Sequence, residues 1–173
     1  MTQEYLQRHI YQSGSQTTAT WAGWVKLHAK AVTANYVWIA AASSASENSI
    51  FFSGNTYGRF TVYDYKNSAY RYQESADSSH VDHSNWIHIV IAWDTTHVRE
   101  DERLRIFFNG VRTSPVSISS ENTDVRDFEL GISKAGEHHY FARNPFGGNN
   151  YNGVMSYCDV YLVDGIALNP DAF

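Results

Sequence analysis

The stretch Trp86-Ile87-His88-Ile89-Val90-Ile91-Ala92-Trp93 constrains the fold more than any other part of the chain. Its alternation puts Ile87, Ile89, Ile91 and Trp93 on one face and Trp86, His88, Val90 and Ala92 on the other. Both faces are largely apolar, which predicts a central strand covered on both sides. After Asp94 and a polar loop, Thr95 to Glu102, the chain returns as Leu104 to Phe108, turns at Asn109-Gly110 and leaves as Val111. Asn-Gly between apolar runs is a strong hairpin signal, because both residues accept positive φ.

Strand signals fill the rest of the chain. Trp21 to Leu27, Tyr36 to Ala42, Ser49 to Phe52 and Arg59 to Tyr65 each read as strands. In the last of these, Phe60, Val62 and Asp64 point one way and Thr61, Tyr63 and Tyr65 the other. Lys66-Asn67-Ser68 reads as a hairpin turn into Ala69 to Gln73, and Phe128 to Ile132 and Asp159 to Val163 complete the set. A polar, Gly- and Asn-rich stretch, Ala135 to Asn152, lies between them. Roughly ten short strands without intervening helices predict an all-β antiparallel sandwich or barrel. No internal repeat or linker divides the chain, so residues 1–173 read as one domain. Arg99-Glu100-Asp101-Glu102-Arg103 is the only charge run and reads as a solvated loop tip.

Composition excludes several partners. The chain carries 12 Tyr against 2 Met, a balance that favours strands over helices. The net charge is -5 and no basic run occurs, which argues against nucleic acid. No stretch approaches membrane-spanning length, and MTQEYLQRHI has no apolar signal core. Cys158 is the only cysteine, which excludes an internal disulfide and points to assembly in a reducing cytoplasm.

The segment Asn85 to Asp94, the charged loop after it, and Leu104-Arg105-Ile106-Phe107-Phe108-Asn109-Gly110 resemble the laminin-G-like pattern, a Trp-x-His strand followed by a strand ending in Asn-Gly. Phe128-Glu129-Leu130-Gly131 matches the next element of that pattern, Val160 to Pro170 the closing strand and turn, and Trp21 to Lys26 the early Trp-Val-Lys strand. The resemblance is to the concanavalin A-like lectin/laminin-G superfamily, and most to lectin-like domains of marine bacteriophage and virus particle proteins. It implies a jelly-roll sandwich of the lectin/glucanase type. Gly153 lies farther before Asp164 than the family pattern expects. Such proteins usually continue beyond the position of Asp171-Ala172-Phe173, so the resemblance leaves open a fragment of a longer chain or a whole small virion protein.

The chemistry is that of binding. A glycosidase of this superfamily needs paired carboxylates flanking the scissile bond, as in Glu-x-Asp-x-Glu on one strand face. Asp127-x-Glu129 is the nearest approach and lacks the third carboxylate, while Glu100-Asp101-Glu102 alternates faces in a loop. The chain is therefore expected not to be an enzyme. No cofactor is implied other than Ca²⁺, which laminin-G-like domains often hold at a sandwich rim; Asp77, Asp82, Asp94, Asp124 and Asp127 lie in or beside predicted loops, and nothing fixes which would bind. His80-Val81-Asp82-His83 and Glu137-His138-His139 have transition-metal ligand types without paired ligand spacing.

Sugar binding uses exposed aromatics for stacking and Asn, Asp and backbone groups for hydrogen bonds. The expected contact surface is the loop from Gly136 to Asn152, with Tyr140, Arg143, Phe146, Asn149 and Tyr151, helped by Asn55, Tyr57, Tyr70 and Tyr72. The competing assignment for Phe141 and Phe146 is a plug at the open end of the sandwich. His138, His139 and Arg143 are placed to meet acidic sugars or a neighbouring subunit, more strongly in mild acid if the histidines protonate. Trp21 or Trp24, Trp38, Trp86 and Trp93 are assigned to packing, and His88 to a satisfied core position.

The leading expectation is a non-catalytic virion module: a fibre, tail or capsid-decoration component on the particle surface, assembled in the host cytoplasm. It would contact other virion proteins and host glycans, as an oligomer or repeated subunit. The alternatives are a carbohydrate-binding lectin or adhesin domain, extracellular in place, and more weakly a glycan hydrolase.

Overall fold

A computed structural model describes residues 6–28, 36–37, 39–44, 47–54, 59–66, 69–77, 85–113, 115–117, 126–141, 143–144, 151–152 and 155–173. The strands in chain order are β1 (Leu6–His9), β2 (Thr18–Leu27), β3 (Tyr36–Val37), β4 (Ile39–Ser44), β5 (Glu47–Gly54), β6 (Arg59–Lys66), β7 (Ala69–Asp77) and β8 (Ile87–Asp94). They continue as β9 (Leu104–Phe108), β10 (Val111–Arg112), β11 (Pro115–Ser117), β12 (His138–Phe141), β13 (Arg143–Asn144), β14 (Tyr151–Asn152) and β15 (Met155–Asp164). The larger sheet runs β1-β12-β4-β5-β6-β7-β11 with β3 on β5, the smaller runs β10-β9-β8-β2-β15, and β13 pairs β14 separately. Every recorded pairing is antiparallel.

The two sheets bury one core between them. Trp21 and Val25 of β2, Ile87, Ile89, Ile91 and Trp93 of β8, and Leu104, Ile106 and Phe108 of β9 face Phe60 and Val62 of β6. The Phe60 and Phe108 rings meet edge to face at 5.2 Å, a favoured arrangement that joins the sheets directly. As its alternation predicted, β8 is central, between β9 and β2. The Asn109-Gly110 hairpin also forms: φ is 49° at Asn109 and 81° at Gly110, and the Asn109 carboxamide oxygen accepts a bond from the His88 N–H. Lys66 pairs with Ala69 across the other expected hairpin.

A C-terminal strap covers part of the outer face of the smaller sheet. The Thr20 hydroxyl donates to the Ile166 carbonyl at 2.7 Å and accepts from the Leu168 N–H at 2.7 Å. Arg105 donates to the Ala167 carbonyl and to the Asn169 side chain. Ala22, Val90 and Phe107 form a second buried cluster on the sheet. This explains why Val90 and Ala92 on the second face of β8 are fully buried.

Four expectations are corrected. Phe128 to Ile132 is not a strand: Gly131–Ser133 is a 3-10 turn. Leu130 and Ile132 are buried, but the backbone donors leave the sheet ladder. Leu130 N–H bonds Gln16 O, and Gly131 N–H bonds the Asp64 carboxylate. Trp86 is not a core residue. It precedes β8 and is 42% exposed, whereas Trp93 is 0% exposed. Of the pair Trp21 and Trp24, Trp21 is in the core and Trp24 is 40% exposed. The charge run is not wholly solvated: Glu100–Glu102 forms a 3-10 turn and Arg103 is buried, donating to the His97 carbonyl. Finally, Ala135 to Asn152 is not one loop, since β12, β13 and β14 lie within it. Trp38 lies outside the described residues.

Candidate functional site

A cleft of about 810 Å³ opens where the N-terminal segment 8–14 meets Ser133, His139, Leu162 and Asp164. That size falls within the range of small-ligand sites. β1 forms one wall. Among the described strands it is the edge of the larger sheet and pairs only with β12, Arg8 opposite His139 and His9 opposite His138. Beyond β1 the chain is pinned to the turn at 133–137. Ile10 N–H bonds Glu137 O, Gly136 N–H bonds Ile10 O, Gly14 N–H bonds Ser133 O, and Ala135 N–H bonds the Ser13 hydroxyl. Gly136 sits at φ 90°, which glycine accepts at least cost.

Asp164 closes the far wall. Its Oδ1 accepts the Ser15 N–H at 2.8 Å. A Cβ at position 14 would lie 2.2 Å from Asp164 Oδ2, so only glycine fits beside that carboxylate.

Tyr11 and His9, which line the cleft, begin a run of rings that continues onto β12. Tyr11 meets His9 at 4.4 Å, His9 meets His138 at 4.4 Å, and His138 stacks with Tyr140 at 6.0 Å. Tyr11 is 87% exposed, so its ring is presented to solvent. His139 differs from its neighbour. It is buried, and its Nε2 donates to the Ile132 carbonyl. Burial pushes its proton affinity below the ordinary histidine value; the Ile132 carbonyl opposes this, and the Arg8 charge adds to it. His139 is therefore a buried wall of the cleft with lowered proton affinity, which counts against stronger contact in mild acid at this residue. Arg8 is exposed and makes no ion pair or hydrogen bond among the described residues.

The sequence-based site is only partly assembled here. Tyr140 lies on β12, is buried rather than exposed as the sugar-stacking assignment assumed, and is not among the described residues that line the cleft. Arg143 and Tyr151 belong to the β13–β14 pair, opposite Asn152 and Asn144. Tyr70 and Tyr72 lie on β7, opposite Tyr65 and Asp64. Asn55, Tyr57, Phe146 and Asn149 lie outside the described residues. The contribution of residues 8–14 was missed, and an early Arg-His-x-Tyr on an edge strand has no local signature that marks it as a site. Among the calcium candidates, Asp94 is engaged with the backbone and hydroxyl of Thr96, Asp127 is exposed in a turn, and Asp77 ends β7. Asp82, Asp124, His80 and His83 lie outside the described residues. No group of three metal-ligating side chains occurs among the described residues, Glu137-His138-His139 included.

A second exposed aromatic surface lies on the smaller sheet. Trp24 and His88 are register partners with ring centroids 4.9 Å apart, and exposed Trp86 stands two residues before His88. His88 is partly covered, which lowers its proton affinity.

Two antiparallel sheets packed face to face, with a cleft at the edge of one, define a lectin-like β-sandwich. The profile of the concanavalin A-like lectin/glucanases superfamily matches residues 2–163, and the chain belongs to that superfamily. No curated protein matches the chain in sequence. Among solved structures, it is similar to the CBM40 domain of a Ruminococcus gnavus IT-sialidase, with TM-score 0.62, 11% identity, and 96% of this chain and 95% of that one covered. It is also similar to domain 4 of AbnA, a GH43 extracellular arabinanase of Geobacillus stearothermophilus, solved with arabinotriose (TM-score 0.60, 15% identity, 91% and 65% covered). A third is the heptameric SAP-like pentraxin of Limulus polyphemus (TM-score 0.55, 14% identity, 91% and 68% covered). The chain thus spans about two thirds of the latter two. These likenesses show the fold.

Proposed function

We propose that this domain is a non-catalytic carbohydrate-binding module and that the cleft beside β1 is its binding site. The observation that carries this is the Tyr11 ring, exposed at the cleft mouth and braced edge-on by His9. A braced, solvent-facing ring suits stacking on the apolar face of a pyranose, and Arg8, Gln12 and Ser13 line the same cleft as polar neighbours. Support also comes from the fold neighbours, one solved as a sialidase's CBM40 and one with arabinotriose. Hydrolysis is not favoured. Asp164 is the one carboxylate among the described lining residues, and it is bonded to the Ser15 amide, whereas glycosidases work with two carboxylates across the bond.

Single sites of this kind bind weakly, so an oligomeric or repeated carrier would raise avidity without new contacts. The virion surface is the carrier implied by the sequence resemblance alone, and detection of the chain in purified particles would establish it. The test of the binding reading is a panel of immobilised oligosaccharides. Wild type should retain some members, and Tyr11→Ala should weaken them about tenfold, the loss of one stacking contact, with unchanged thermal unfolding. Retention of nothing, or binding indifferent to Tyr11→Ala, would overturn the proposal.

A further inference from the structure

We infer that the cleft selects saccharides bearing a carboxylate, with the Arg8 guanidinium as the group that reads the charge. This rests on the reading of the cleft as a carbohydrate site and names the ligand class for it.

Three observations carry it. First, Arg8 lines the cleft from the edge strand, is exposed, and has no ion pair or hydrogen bond among the described residues. The chain's other described arginines mostly have partners: Arg99 with Asp101, Arg112 with Glu102, Arg103 with the His97 carbonyl, and Arg105 with the strap. Secondly, the carboxylate that shares the cleft does not neutralise Arg8. Asp164 makes no ion pair with it, and its Oδ1 is held by the Ser15 amide against Gly14. Thirdly, of the two imidazoles that line the cleft, His9 is packed edge-on against Tyr11 and His138, and His139 is turned to the backbone. His139 is buried with its Nε2 donated to Ile132, and burial favours its neutral form.

A guanidinium has a planar fork of donors that matches a carboxylate in two parallel hydrogen bonds. Arg8 brings a positive charge to the cleft that Tyr11 also lines, and a hexuronic or nonulosonic acid combines the two matching features, a pyranose face and a carboxylate. A neutral sugar would stack on Tyr11 but leave the guanidinium to water.

The experiment compares each sugar with its own neutral form. Oligogalacturonate, a hyaluronan tetrasaccharide and sialyllactose are titrated into the domain, each as the free acid and as the methyl ester, with lactose and arabinotriose as neutral controls. At least one acid should bind about tenfold more tightly than its ester, and that preference should shrink as salt rises. Arg8→Gln should bring the acid down to the affinity of its own ester, and Arg8→Lys should restore only part of the preference. Because Arg8 is exposed and unpartnered, neither variant threatens folding, which thermal unfolding checks. Neutral sugars bound in a Tyr11-dependent way with no acid preference would overturn this inference and leave the binding module standing. If no saccharide binds, both fail together. A preference that survives Arg8→Gln would place the charge reader elsewhere.

Discussion

Two tryptophans in the same eight-residue stretch have opposite fates. Trp93 is fully buried between the sheets, whereas Trp86 is exposed one position before β8 begins. Trp93→Ala should therefore cost about 3–5 kcal/mol, through lost burial and the cavity left behind. Trp86→Ala should cost less than about 1 kcal/mol, as exposed substitutions do. Chemical denaturation of the two variants separates them, and equal losses would contradict the packing. Gly14 offers a sharper residue-level test. A methyl there meets the Asp164 carboxylate, a short side chain already tied to the Ser15 amide. Gly14→Ala should destabilise by about 1–3 kcal/mol, the usual range for overpacking. Most of that cost should vanish in an Asp164→Ala background, because the two sites are in contact. His139 sets the acid response. Its proton affinity in the fold lies below the ordinary value of 6.5, so the unfolded chain takes up the proton first. The contribution is complete above pH 6.5 and is lost as pH falls below it, through the lower folded-state value. Urea midpoints at pH 7.5 and pH 5 should fall more in wild type than in His139→Gln, and parallel falls would show that His139 is not the group responsible.

At the level of elements, the strands were legible where the signal is local. The alternation of β8 and β6 and the Asn109-Gly110 turn are written in consecutive residues, and the pairing follows them. What alternation cannot show is where backbone donors go. Phe128 to Ile132 has the spacing of a strand, yet its amides bond Gln16 and Asp64 and the segment closes as a 3-10 turn. The reverse error occurs in Ala135 to Asn152, whose polarity reads as a loop while His138–Phe141 adds a full strand between β1 and β4. Polar side chains are no bar to a strand whose partners on both sides supply the ladder. In the strap at 166–169, the Thr20 hydroxyl both donates and accepts, beside the bonds from Arg105. Thr20→Val keeps the shape and removes both bonds, leaving a carbonyl and an amide without that partner. A loss of about 1–3 kcal/mol is expected. Amide exchange at Leu168 should speed up well before global unfolding does. Protection at Leu168 equal to wild type would show that the strap is held by its other contacts.

For the whole molecule, the fold was readable from sequence and the site was not, and topology is the reason. The cleft is assembled from residues 8–14, 133–139 and 162–164, segments that meet only because β1 pairs β12 and β15 pairs β2. Tyr140 reads in sequence as an accessible aromatic of a polar stretch, and the structure buries it with its ring stacked on His138. Tyr11, with no distinguishing neighbours in sequence, becomes the ring most exposed at the cleft. The smaller sheet's Trp24, His88 and Trp86 form the rival surface, across the sandwich from β1. Amide and indole shift mapping by NMR during titration with a saccharide the domain retains decides between them. Perturbations centred on Arg8, His9, Tyr11, Gln12 and Asp164, with the Trp24 and Trp86 indoles unmoved, are the predicted result. Shifts confined to Trp24, Trp86 and His88, with residues 8–14 silent, would contradict the assignment of the cleft as the binding site.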